Sequence, residues 1–279
     1  MSPPLNHINT SSKPPASAEV VVIGGGIIGV FTAYYLAKRG VSVALVEKGR
    51  IGAEQSSRNW GWCRQQNRDA RELPMASKSL DLWEQFAAES GEDTGFRRCG
   101  LLFLSNDEAE ISRWASWHDF AKSAGVTTHM LSSREAAQRG QATGRAWKGG
   151  VFSPTDGTAD PGKAAPAVAA ALIKLGGSVH QNCAARGIET EGGRVSGVVT
   201  EAGVIKTKTC PLYTAPILRD GCEDLVCLLL LEKKSVHPWT KLLLCFGYFT
   251  ALSYRALSAV ITFLTGGSLP LFCFTHPLA

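Results

Sequence analysis

The chain has no concentration of charge. Its 279 residues carry 29 Lys and Arg against 24 Asp and Glu, a formal net charge of +5, and no basic block gathers it. Nucleic-acid binding asks for a basic stripe or a reading motif, and neither is present, so no nucleic-acid partner is expected. The eight cysteines form no CxxC pair and no Cys/His cluster at zinc spacing, which excludes a zinc ribbon and leaves reduced thiols and no metal as the expectation. There is no GxSxG. His118, His129 and His180 are scattered away from any Ser or Cys nucleophile motif and read as structural or surface residues. The first 19 residues hold four prolines and four serines but no apolar run. A secretory signal needs such a run, so residues 1–18 read as a disordered leader and the location as cytoplasmic.

What is present begins at Glu19. "EVVVI" is a continuous apolar run, the pattern of a strand buried on both faces. "GGGIIG" follows at 24–29, then the helical "VFTAYYLAKRG" closed by Gly40, then a second buried strand, "VSVALVE". Strand, glycine turn, helix and strand together have the size of one βαβ unit. Gly24, Gly26 and Gly29 stand at dinucleotide-fingerprint spacing in the required context. One glycine allows the tight turn, one admits a pyrophosphate to the backbone, and one lets the helix pack on the strand. The helix N-terminus offers N–H groups and a positive dipole end to phosphates. Glu47 ends the second strand, where an acid grips ribose hydroxyls and repels a 2′-phosphate, so FAD or NAD is favoured over NADP.

Residues 48–73 form a long polar loop containing two tryptophans and a cysteine, which suggests function rather than disorder. Cys63 within it reads as a small buried side chain. A helix is expected over 74–91, with Met75, Leu82, Trp83, Phe86 and Ala87 on its apolar face, and a strand over 96–105. The next helix has acids in its first turn and Gly125 at its end, and Ser132 and Glu135 stand at capping-box spacing. "GVFSPTDGTADP" reads as strand plus turn, and "GKAAPAVAAALIKLGG" as a helix with Pro166 near its start. From Ser178 to Thr209 three segments, "SVHQNCAARGIET", "RVSGVVTE" and "VIKTKT", predict an antiparallel meander turned at Gly192-Gly193 and Ala202-Gly203.

The stretch from "VVVIGGGIIG" through "SSRNWGW", with "PTDGTADP", the alanine-rich helix and the meander, resembles FAD-dependent oxidoreductases of the D-amino-acid oxidase superfamily, the glycine and sarcosine oxidase type. The likeness spans residues 19–209. It implies an α/β fold: a Rossmann-like FAD-binding βαβ domain with an antiparallel meander and an incomplete substrate domain. The implied boundaries are 19–95 for the first part of the FAD domain, 96–150 for the partial substrate domain and 151–209 for the second part of the FAD domain. By position, Gly24, Gly25, Gly26, Ile27, Ile28 and Gly29 would hold the FAD pyrophosphate, and Glu47 with Lys48 beside it the adenosine ribose. Ser56, Ser57 and Arg58 would lie along pyrophosphate and flavin, and Ala185 would offer backbone groups to adenine. Trp60, Trp62 and Arg64 would stand near the flavin ring or the substrate entrance. Core packing is the competing role for the tryptophans and a surface salt bridge for the arginine. The implied reaction is oxidation of a C–N bond of an amino acid or secondary amine by hydride transfer to flavin N5.

The likeness stops at "KTKTCPLYTAPIL". Where a buried strand and a second glycine turn are expected, residues 210–218 carry two prolines, each lacking a ladder donor. Composition changes as well: residues 210–279 hold 16 Leu, 5 Cys and 9 charged residues, and no acid follows Glu232. Three readings stand for this tail. It is a membrane anchor through 242–265 with Arg255 near its middle, an out-of-frame sequence, or a core element of an unfamiliar domain. The alternatives for the whole chain are accordingly an FAD-dependent amine oxidoreductase, a truncated and non-catalytic dinucleotide-binding fragment, and a membrane-tethered flavoprotein.

Overall fold

The computed structural model describes residues 4–210. The apolar tail, including 242–265, lies outside the described residues. In chain order the elements are β1 (Val20–Ile23), α1 (Ile27–Ala37), β2 (Val43–Val46), β3 (Trp62–Cys63), α2 (Leu73–Ser90), β4 (Leu101–Ser105) and α3 (Glu108–Ser123). There follow β5 (His129–Leu131), α4 (Ser133–Arg139), β6 (Gly149–Ser153), β7 (Gly157–Thr158), α5 (Ala164–Lys174), β8 (Ser178–His180), β9 (Ala185–Glu191), β10 (Arg194–Thr200) and β11 (Gly203–Lys206).

β1, β2 and β8 form a parallel sheet with β2 in the middle. β1 and β2 read as unbroken apolar runs because both faces are covered. Val21, Ala44 and Val46 pack with Val198 and Ile205 of the meander, while Val22 faces α1. α1 carries Phe31 and Tyr34 against Trp83 and Phe86 of α2, in edge-on ring contacts 5.2–5.4 Å apart. Such pairs add to the burial of area. The buried face of α2 runs through Leu73, Ala76, Leu80, Trp83 and Phe86, so Met75 and Ala87, expected on that face, are only half-buried.

A second, antiparallel sheet is ordered β4-β6-β5. Asp107 caps α3, and Ser132 with Glu135 completes the expected capping box of α4. The segment expected as a strand from Phe96 onward begins its ladder only at Leu101, apart from one bridge between Arg97 and Thr158. Because β6 runs to Ser153, a domain boundary at 150/151 would cut a strand, and the chain leaves this sheet only after Ser153.

Two expectations are corrected. "SVHQNCAARGIET" is not one meander strand. Its first residues form β8, parallel to β2, and the chain then turns at Asn182, whose φ of 50° is left-handed. That turn is tied down by Asn182 N–H to Gly49 O and Cys183 N–H to Glu47 O, and the meander is β9-β10-β11. The N-terminal segment is also not a free leader. Asn6 N–H reaches Gly162 O, Ala18 N–H reaches Lys206 O, and His180 Nδ1 donates to Ser11 O at 2.8 Å. Proline and serine content signals a chain without a core of its own, but it leaves backbone groups able to pair with a neighbour. Finally, Val21 N–H donates to Thr209 O, so the chain arrives beside β1 as the described residues end.

Candidate functional site

The carboxyl ends of β1, β2 and β8 converge on the glycine turn, where open α/β sheets bind ligands. Gly24 N–H closes the turn onto Val46 O at 2.9 Å. A Cβ on Gly29 would sit 1.9 Å from Gly24 O, and one on Gly25 would sit 2.4 Å from Ile51 Cδ1. At Gly29 the helix and the turn therefore pack backbone to backbone, while Gly25 lies against the side chains of Ile51 and Glu47. α1 starts at Ile27 with no acid in its first turn, leaving its positive end uncompensated by any carboxylate of its own. Ile27 N–H donates to Ser56 Oγ at 2.9 Å, so a hydroxyl from the long loop meets the helix start.

Glu47 is 8% exposed. Its two carboxylate oxygens take different partners: Oε2 accepts from Gly25 N–H at 2.6 Å and Oε1 from Gly49 N–H at 2.8 Å. The acid at the end of β2 therefore fixes the glycine turn itself and keeps further lone pairs for hydroxyl donors. These features fit a dinucleotide: a backbone cradle that a Cβ would fill, a helix N-terminus facing it, and an acid at the end of the adjacent strand.

The other expected site residues are arranged less uniformly. Lys48 and Arg58 both pair with Glu54 at 3.4 Å on the surface. Ser57 is buried and turned inward, its hydroxyl on Glu54 O. Ala185 begins β9 opposite Thr200 and packs against the core beneath the parallel sheet. Trp60 is 68% exposed and lies 5.8 Å from the ring of Trp62. Trp62 pairs with Thr158 in the short β3-β7 ladder and meets Phe103 of β4 edge-on at 5.3 Å, so it stands where the two sheets' elements meet. Arg64 follows at once and donates to Gln66 O. Cys63 is buried, with its thiol 3.7 Å from Gly61 O.

One constellation went unseen in the sequence. Asp156, in the β6–β7 turn, is fully buried and accepts from Gln65 N–H at 2.8 Å and Gln66 N–H at 3.2 Å. Around it, Thr155 donates to Gln65 Oε1, Ser153 to Gln66 Oε1, and Gln65 Nε2 to Ser77 Oγ. Burial pushes the Asp156 carboxyl up to about 6, against the opposing pull of those two N–H groups and of Arg64 and Arg68. The available signals were "PTDG" after an apolar strand and paired glutamines in a polar loop, but neither says that the two meet. Among the described residues no cluster of His, Cys, Asp or Glu could hold a metal ion, and no helix is long and apolar enough to cross a membrane.

A parallel sheet with a glycine turn, a helix start and a buried acid, backed by a meander, is the arrangement of a dinucleotide-binding α/β protein. The particular family follows from comparison. Residues 19–214 match the DAO family, described as FAD dependent oxidoreductase, and the chain belongs to it. It is 30% identical over 212 residues to the 4-methylaminobutanoate oxidase (formaldehyde-forming) of Paenarthrobacter nicotinovorans, covering 74% of this chain and 26% of that protein. It is 27% identical to the mitochondrial pyruvate dehydrogenase phosphatase regulatory subunit of Mus musculus, over 69% of this chain and 22% of that one. Among solved structures, the L-amino acid deaminase of Proteus myxofaciens in complex with anthranilate superposes with a TM-score of 0.71 at 32% identity, covering 78% of this chain and 50% of that one. The chain thus spans between about a quarter and a half of the length of these relatives.

Proposed function

We propose that this chain binds FAD in the cradle of Gly24–Gly29 and Glu47 and oxidises the C–N bond of a small amino acid or secondary amine. The observation that carries the reading is the glycine turn packed against α1 and fixed by Glu47, within a chain that belongs to an FAD-dependent family. FAD, when bound, supplies the acceptor for the two electrons that leave the C–N bond. The glycine turn at the start of α1 would let the phosphates approach the backbone, Ser56 would stand beside them, and Glu47 would take ribose hydroxyls. Arg64 presents several donors in a fixed fork, the geometry that grips a carboxylate. Trp62 would wall the same end and exclude water. Relatives whose names specify an N-methylated amino acid and L-amino acids support a substrate that carries both an amine and a carboxylate. The proposal includes the cytoplasm as the compartment, in keeping with four free thiols among the described residues.

A second reading is a non-catalytic FAD-binding fragment. It is favoured by one of the relatives being named a regulatory subunit, and by the two prolines, Pro211 and Pro216, in the stretch where a strand is expected. Purified protein separates the two. Bound FAD bleached anaerobically by an amine or amino acid supports the enzyme. Bound FAD that no amine in the panel reduces supports the fragment, and protein without FAD overturns both.

A further inference from the structure

We propose that Asp156 is a positioning residue: by holding the main chain at Gln65 and Gln66 it fixes the direction of the Arg64 guanidinium. The inference rests on the reading of Arg64 as the carboxylate-binding group, and it identifies what aims that group.

The geometry forms a short chain of contacts. Asp156 is itself held through both of its main-chain groups, by Asp156 N–H to Ser153 O at 3.3 Å and by Gly100 N–H to Asp156 O at 2.8 Å. It is therefore an anchor attached to the second sheet. Its carboxylate reaches across to the loop and takes two successive main-chain N–H groups, those of Gln65 and Gln66. The carbonyl of the same Gln66 accepts from Arg64 Nη1. Asn67 then turns the chain with a φ of 59°, so the Gln66 peptide is pinned between an anchored N–H and a tight turn. Two polar side-chain bonds, Ser153 to Gln66 and Thr155 to Gln65, tie the same residues to the same sheet. Because β3 pairs with β7 immediately after Asp156, Trp62 and Arg64 are presented from one fixed frame. An ionised carboxylate can accept both N–H groups at once, and a neutral carboxyl has a donor on one oxygen and accepts fully only through the other. The hold on Gln66 therefore depends on the charge of Asp156. The charged groups facing it are Arg64 and Arg68 of the loop, while Arg98, before β4, donates to Thr155 O and pairs with Asp81 and Glu84.

The test needs the full chain, the variant Asp156→Asn and two readouts. Asparagine copies the shape of the neutral carboxyl. The first readout is amide exchange at Gln65 and Gln66, corrected for intrinsic pH dependence, in protein with or without FAD. Protection is expected to fall by at least about tenfold in Asp156→Asn at pH near 7, and in wild type as the pH falls through about 6. The second is titration of FAD-loaded protein with benzoate, a carboxylate without an oxidisable C–N bond, followed by flavin absorbance. Wild-type affinity is expected to rise about threefold from about pH 5.5 to about pH 8, while Asp156→Asn stays flat and no tighter than wild type at the acid end. A merely structural role would lower stability without producing that profile. If Asp156→Asn does not fold, the wild-type pH profile and exchange decide alone. Unchanged protection in the variant, or a wild-type profile flat across pH 6, overturns the proposal. Protein that takes up no FAD defeats the functional reading instead, and the exchange readout still decides the role of Asp156.

Discussion

Two buried carboxylates organise this molecule, and they work at different ranges. Glu47 takes the N–H of Gly25, 22 residues away, and the N–H of Gly49, two residues on. Asp156 takes the N–H groups of Gln65 and Gln66, about 90 residues away, from a different sheet. The first contact closes a local βαβ unit around a ligand cradle. The second staples a long loop to a framework it meets only in the folded chain. The difference teaches that the proposed cofactor cradle is built from neighbouring sequence, while the loop that carries Trp62 and Arg64 is placed by topology.

The comparison can be broken most strongly at the glycine turn. Gly29→Val would drive a side chain into Gly24 O, and backbone cannot yield as a side chain can. We expect a loss at or above about 3 kcal/mol in stability, read by thermal or urea unfolding, together with loss of retained FAD. The Asp156 region is next. Its carboxyl is held up at about 6, above the ordinary value of 3.8, so folding favours its protonated form. The associated stability is fully present below about pH 4, is lost as the pH rises through about 6, and amounts to about 3 kcal/mol. Urea unfolding across pH should show this slope in wild type and lack it in Asp156→Asn; equal slopes would contradict the raised carboxyl.

A smaller effect is expected at Glu47. Glu47→Gln keeps one acceptor and turns an amide donor towards Gly25 or Gly49, which should cost about 2 kcal/mol and weaken FAD retention on gel filtration. Smallest is Ser56→Ala, which removes the acceptor of Ile27 N–H and should cost about 1 kcal/mol, with a few-fold weaker FAD binding by fluorescence. A larger loss in Ser56→Ala than in Glu47→Gln would invert the ranking between local acid and loop hydroxyl.

Much of the fold was legible because its signals are local. Buried parallel strands read as apolar runs, the capping box at Ser132 and Glu135 is a spacing, and the Gly192-Gly193 turn joins β9 to β10 as expected. β8 was misassigned because three short strand residues look alike whether they extend a parallel sheet or start a meander. Only the pairing with β2 decides between them. The N-terminal segment differs from the expectation because composition reports the absence of a core, while its order comes from the carbonyls of Gly162 and Lys206 and the ring of His180. The tail from Pro211 lies outside the described residues, and its three readings stand as alternatives for the DNA around codon 209 and for detergent dependence to separate.

The sequence by itself determined the glycine turn and the acid that fixes it, because a glycine's missing Cβ and an acid at a strand end act within one local βαβ unit. It determined likewise the family and the helices, whose caps and apolar faces repeat at short range. Only the tertiary structure decided that Asp156 meets Gln65 and Gln66, that Trp62 touches Phe103, and that the N-terminal segment is bound. Each of these joins residues far apart in the chain, and a buried carboxylate finds its donors through the packing of whole elements rather than through any local pattern.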